Sequence, residues 1–179
     1  PKRRRNSVLV KKKNLELIIR GAPETVLALC HKSDHVHTFA LKEWIAKEGR
    51  QGKRVIALAK KRIDEPDKHQ LLREEKNAEF IGLISFIDPL KKTTKQAVLH
   101  AEKLGVQIKI LTGDSKEVAG AVAQSIGLVT NAADVLTGDA FEALDLPEQH
   151  EAVSRYAVFA RISPEQKHTI IQLLQEKYE

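Results

Sequence analysis

The chain has 179 residues, 42% of them hydrophobic and 30% charged, with a net charge of +6. This composition supports one sizeable core or two small ones and predicts a soluble globular protein. No apolar run is long enough to span a bilayer and no secretory signal pattern is present; the single cysteine, Cys30, excludes an intramolecular disulfide and fits a reducing compartment. Methionine is absent, even at position 1. Aromatic residues make up only 4%, which argues against a stacking surface for single-stranded nucleic acid.

Much of the positive excess lies in the opening "PKRRRNSVLVKKKN". Such clusters meet nucleic acid, membrane surfaces or phosphates, or protect an exposed strand edge. "NSVLV" and "LELII" then read as two strands joined by a basic turn. A helix is expected from Pro23 to Cys30 and another from Thr38 to Glu48. "GRQGKRVIALAKK" turns into a strand with Val55, Ala57 and Ala59 on one face and Arg54, Ile56 and Leu58 on the other. "RIDEPDKHQLLREEKN" reads as a polar loop, and "EFIGLISFI" as the strand after it.

From Asp88 the pattern changes to alternating helix and strand, the signature of a parallel sheet. A helix over Thr93–Leu104 precedes an apolar run, Val106, Ile108, Ile110 and Leu111, that reads as a buried strand. Thr-Gly-Asp follows at 112–114. Val118, Ala119, Val122, Ala123 and Ile126 then recur at helical spacing, with Ser115 or Asp114 as cap and Gly127 as stop. "DVLTGDAFEAL" is a short strand and turn, and its second Thr-Gly-Asp reads as coincidence rather than a repeat. "YAVFA" is a strand, and "SPEQKHTIIQLLQEKY" a helix with Pro164 in its first turn. Ligands of α/β sheets bind beyond the carboxyl ends of the strands, so the 112–114 turn is either a small anion site or an ordinary capped turn.

Five motifs, taken in order, resemble the cytosolic region of P-type cation-transporting ATPases. They are "RGAPE" (20–24), "GKRVIALA" (52–59), "DPLKKTT" (88–94), "KILTGDS" (109–115) and "FARISPEQK" (159–167). The wording of "DPLKKTT" and "VQIKILTGDS" is similar to the magnesium-importing branch. The resemblance implies an α/β chain in two parts. Residues 1–87 would be the later part of an α+β nucleotide-binding domain, with an antiparallel sheet flanked by helices. Residues 88–179 would be part of a phosphorylation domain of the haloacid dehalogenase type. ATP and the rest of the pump, its transmembrane and actuator domains, would be the partners, and no nucleic acid is expected. The location implied is a cytosolic domain of an integral membrane protein.

The resemblance also assigns roles. Arg20 stands where the family carries a lysine beside adenine, with Gly21 and Ala22 giving room for close approach to the base. Arg54 matches an arginine on the nucleotide phosphates, and Arg4 falls near a lysine of the pocket. Thr112 and Gly113 would hold the γ-phosphate, with Asp114 close by. Lys167 matches a lysine near the phosphoryl group, Arg161 an arginine near the ribose, and Asp88 the hinge aspartate. Leu90 and Lys91 depart from the family's Pro and Arg at the hinge. The nucleophile motif Asp-Lys-Thr-Gly-Thr, the magnesium-binding Gly-Asp-Gly-x-Asn-Asp and the actuator's Thr-Gly-Glu-Ser do not occur. The chain therefore reads as an internal fragment, with magnesium ligands outside it and no aspartyl-phosphate chemistry of its own. A soluble dehalogenase-type phosphohydrolase needs its own Asp-x-Asp or Asp-x-Thr nucleophile, which neither "DEPD" nor "DSKEV" supplies. A basic nucleic-acid-binding module would rest on the "KRRR" and "KKK" runs alone.

Overall fold

Two short apolar runs near the start pair as the sequence predicts: β1 (Arg5–Lys11) and β2 (Leu15–Gly21) are antiparallel, with Val8 opposite Ile18 and Arg5 opposite Gly21. The computed structural model describes residues 3–11, 14–31, 38–63 and 73–178; the expected basic turn at Lys12 and Lys13, and most of the polar loop after Ile63, lie outside them. β2 pairs antiparallel with β3 (Arg54–Ile63), and β4 (Glu79–Phe86) completes a sheet ordered β1-β2-β3-β4.

The alternation read from β3 holds. Ala57 and Ala59 are fully buried, and they join Leu17, Ile19, Val26, Cys30, Ile63 and Ala78 in one core. Period-2 patterning selects this face, because a strand slipped by one residue would bury Arg54 and Lys60 instead. The helix expected to reach Cys30 ends earlier: α1 spans Pro23–Leu27. Cys30 instead makes an isolated parallel bridge to Ala78, with the Ala78 amide donating to Leu29 O (3.0 Å) and the His31 amide to Ala78 O (3.0 Å). The longer α2 covers Thr38–Arg50.

The remaining elements form a parallel α/β arrangement. α3 (Thr94–Lys103) leads to β5 (Ile110–Leu111), followed by α4 (Lys116–Ser125), β6 (Leu136–Thr137), α5 (Gly138–Glu142), α6 (Leu146–Arg155), β7 (Val158–Ala160) and α7 (Pro164–Tyr178). β7 lies between β5 and β6 and is parallel to both. Phe159 packs on one side with Phe141, Val153, Ile170 and Leu173; Val158 and Ala160 pack on the other with Ala119, Ala123 and Val135. Helices thus cover both faces, which is why all three β7 residues are buried.

Two expectations change here. The strand predicted from Val106 pairs only at Ile110 and Leu111, because earlier groups are engaged elsewhere. The Val106 amide closes the turn after α3 on Ala101 O (3.0 Å), and Lys109 Nζ donates to Ser154 O (3.0 Å) and Tyr156 O (2.8 Å). The sequence reading also passed over α6. Its start is a capping box: Asp145 accepts from the Glu148 amide (2.9 Å), Glu148 accepts from the Asp145 amide (3.0 Å), and Pro147 sits in the first turn.

By contacts the chain divides into two units, Pro1–Glu48 with Val55–Phe86, and Gly49–Arg54 with Ile87–Glu179. Among the described residues no helix is long and apolar enough to cross a membrane.

Candidate functional site

In the second unit, β5 and β7 deliver two loops to the same sheet edge. The Thr112 amide donates to Phe159 O (2.9 Å), which extends the strand pairing by one residue. Past that point the loops are tied by the Ile162 amide to Thr112 O (3.0 Å) and the Arg161 amide to Asp114 O (2.9 Å). The turn is also braced internally: Thr112 Oγ1 accepts from the Asp114 amide (3.1 Å) and donates to Asp114 Oδ2 (2.9 Å). Ser115, not Asp114, caps α4 by accepting from the Val118 amide (3.4 Å). Asp114 is thereby left for other work. Its Oδ2 also accepts from Arg54, 2.7 Å away, with the two side chains 46% (Arg54) and 25% (Asp114) exposed.

Gly113 stands at the open side of this turn; a Cβ there would meet nothing within 4 Å. Arg161 adopts a left-handed conformation (φ 55°), uncommon for a non-glycine residue. Ser163 and Gln166 then start α7 by reciprocal bonds, the Gln166 amide to Ser163 Oγ (3.1 Å) and the Ser163 amide to Gln166 Oε1 (2.9 Å). Lys167 follows in the same first turns, exposed. The second unit therefore brings together Thr112, Gly113, Asp114, Arg161 and Arg54, with Lys167 on the adjoining helix start. Asp88 is exposed and lines a separate hollow of about 390 Å³ with Arg50, Leu90, Val122 and Ser125.

The second Thr-Gly-Asp has a structural purpose. Thr137 caps α5 by accepting from the Ala140 amide (3.3 Å), and Gly138 lies beneath the Arg161 loop. A Cβ at 138 would sit 2.4 Å from Gln166 Oε1 and 2.8 Å from Arg161 O. Gln166 Nε2 reaches across to Gly138 O (3.2 Å) and Glu142 (2.8 Å). Gly138 thus supports the Arg161 loop and the start of α7, the helix that carries Lys167.

In the first unit, Arg20 ends β2 opposite Asn6 and Leu58, on the face away from Leu17 and Ile19. Ile18 and Leu58 on that face are only partly covered. Gly21 and Ala22 lie against backbone: the Ala22 amide donates to Arg4 O (2.9 Å), and a Cβ at 21 would fall 2.5 Å from that same oxygen. Arg4 itself is left-handed (φ 47°). The smallness of Gly21 is therefore required by Arg4, whatever ligand approaches the turn.

Sequence reading missed Glu75, which it left in a polar loop. Glu75 is 1% exposed and the one buried charged side chain among the described residues. Burial pushes its carboxyl pKa up, but hydrogen bonds from Ser7, Arg3 and Arg5, together with the charge on Arg5, pull it below the usual carboxylate value. The available signal was Arg3, Arg5 and Ser7 at alternate positions leading into and along β1.

Comparison with known proteins places the chain among membrane-pump ATPases. Residues 1–93 match the family model described as the P-type ATPase cytoplasmic domain N. The chain is 31% identical over 174 residues (95% of its length) to a probable cation-transporting P-type ATPase of Mycoplasma genitalium. It is 32% identical over 98% of its length to magnesium-transporting ATPase, P-type 1, of Escherichia coli, and 30% over 97% to an endoplasmic reticulum calcium ATPase of Aspergillus fumigatus. It spans 19% of the first relative's length and 20% of the other two. Proteins named for magnesium and for calcium thus match about equally well. An N-domain match over half the chain, with similarity continuing through both Thr-Gly-Asp turns, makes this chain a member of the P-type cation-transporting ATPase family.

Proposed function

We propose that the chain is the ATP-handling part of a cation pump, with a base site at the Arg20–Ala22 turn of its first unit and a phosphate site at the Thr112–Asp114 turn of its second. The observation that carries this reading is the pair of loops after β5 and β7, joined by backbone bonds at one sheet edge. They place the Thr112 hydroxyl, the open Gly113 backbone and the start of α7 at the carboxyl ends of parallel strands, where anions are bound in such sheets. In this reading the second unit is the haloacid dehalogenase-like phosphorylation domain.

Each residue then has a physical task. Arg20 stacks its flat guanidinium on the purine, over a face floored by Ile18 and Leu58. Thr112 and Gly113 donate to the γ-phosphate, and Lys167 offsets charge on the transferring oxygens. Arg54 pairs with the phosphates and Arg161 with the ribose, while Asp88 serves at the hinge. Asp114 holds Arg54 and the Thr112 hydroxyl in place until the phosphates arrive. Magnesium is assigned to ligands outside this chain, because the family's magnesium-binding Gly-Asp-Gly-x-Asn-Asp motif does not occur in it. The carboxylate that accepts the phosphoryl group is likewise assigned outside this chain. The complete pump would couple ATP hydrolysis, through that aspartyl-phosphate, to cation transport.

Calorimetric titration with ATP and AMP tests this. Saturable binding of both is expected, with Arg20→Ala weakening both nucleotides and Arg54→Ala and Thr112→Ala weakening ATP more than AMP. No hydrolysis by the isolated chain is expected. Binding by a folded chain that is indifferent to all three substitutions would overturn the assignment.

A further inference from the structure

The buried carboxylate of Glu75 has no task in the scheme above. Its Oε1 accepts from the Arg3 guanidinium and from Ser7 Oγ (2.6 Å), and its Oε2 accepts from Arg5 Nε (2.6 Å). The three donors occupy alternate positions of one segment, so a single side chain gathers one edge of β1 and its lead-in. This also gives a structural role to two cations of the basic opening run, Arg3 and Arg5. Arg3, Arg4 and Arg5 are three successive cations whose repulsion opposes a compact turn, and Glu75 pairs with two of them and offsets one of the three charges.

The residue between those two arginines is the one that shapes the ligand turn. Arg4 is left-handed (φ 47°), a conformation that an arginine adopts only where its surroundings enforce it. In that conformation its carbonyl accepts from the Ala22 amide (2.9 Å) and covers Gly21 so closely that no Cβ fits beneath it. The chain of contacts runs from Glu75 to Arg3 and Arg5, from their backbone to Arg4, and from Arg4 O to the Arg20–Ala22 turn. Every member of it lies in the first unit.

We propose that Glu75 is a positioning residue for adenine-nucleotide binding: by clamping Arg3 and Arg5 it holds Arg4 in the conformation that fixes the Arg20–Ala22 backbone against the base. The inference rests on the reading of that turn as the base site. Glu75 touches no ligand, and its effect is transmitted through backbone geometry alone.

The test compares the wild-type chain with Glu75→Gln, which keeps the shape and removes the charge, and with Ser7→Ala, which removes one donor. Amide hydrogen exchange is read at Ala22, at Ile19 and Ala59 in the sheet, and at Ala160 in the second unit, together with the AMP dissociation constant. In Glu75→Gln, Ala22 exchange is expected to rise about tenfold relative to Ile19 and Ala59. AMP affinity is expected to fall about fivefold to tenfold, with Ala160 unchanged. Ser7→Ala should move both readouts in the same direction by less, and it carries the test if Glu75→Gln does not fold. A uniform rise at Ala22, Ile19 and Ala59 would show a general loss of stability and overturn the positioning role. So would unchanged Ala22 exchange in a chain that binds AMP. Absence of AMP binding by the wild-type chain would overturn the nucleotide reading itself, and the ligand assigned here with it.

Discussion

The two units hold their candidate ligand turns by different means. In the first, the Arg20–Ala22 turn is kept in shape through side-chain charge, a buried carboxylate gripping two arginines and a serine from 68 to 72 residues away. In the second, the Thr112–Asp114 turn is kept in shape mainly by backbone amides and by glycines whose missing Cβ lets segments touch. A charge clamp responds to pH and to single-atom changes in one side chain. A backbone scaffold is intolerant of added volume.

The sharpest way to break the comparison is at Gly120. A Cβ there would lie 1.9 Å from Ala132 O, a backbone atom that moves only with its loop. Gly120→Ala is expected to destabilise the second unit by about 3 kcal/mol in urea unfolding, with the first unit unaffected. Next in size is Glu75→Ala, which leaves Arg5 and Arg3 facing each other without a counter-charge. Because these arginines remain 22% and 42% exposed, the expected loss in the first unit is about 2 kcal/mol rather than the larger values for fully buried pairs.

Glu75 also predicts a pH response confined to one unit. Its folded pKa lies below the ordinary value of 4.5, so its stabilisation is complete above that value. The stabilisation is lost as pH falls through the lowered folded pKa. Acid unfolding followed by resonances of each unit should show the first unit losing stability in that window in the wild type but not in Glu75→Gln. Smaller still, Ser115→Ala removes the α4 cap and should cost about 1 kcal/mol in the second unit. The smallest stability effect belongs to Arg54→Ala. The pair with Asp114 is partly exposed and contributes under about 1 kcal/mol, so that substitution should alter ATP binding while barely moving the urea midpoint.

Much of the fold was legible because period and punctuation are local. Alternation assigned both faces of β3, Pro164 and Gly127 marked helix ends, and the change of pattern near Asp88 lies beside the start of the second unit's longer segment at Ile87. The strand at Val106 was read too long because hydrophobicity does not report pairing: Lys109 turns to two carbonyls that no local pattern reveals. The α6 start was legible in Asp145-Leu-Pro-Glu148 but was passed over among polar residues. Of the candidate site, the Thr112 turn and the Arg161 loop were singled out through their motifs, and the structure ties them together by backbone bonds. Glu75 was not, since a buried acid and its partners lie some seventy residues apart, and only the folded chain brings them within reach.

The bridge that ends the first helix early has a practical consequence. Cys30 is the chain's one thiol, 6% exposed, with its Sγ donating to Val26 O (3.2 Å) in the core of the first unit. A maleimide or disulfide reagent reaches that sulfur only when this core opens. Its labelling rate therefore reports opening of the first unit's core, and it needs no engineered probe.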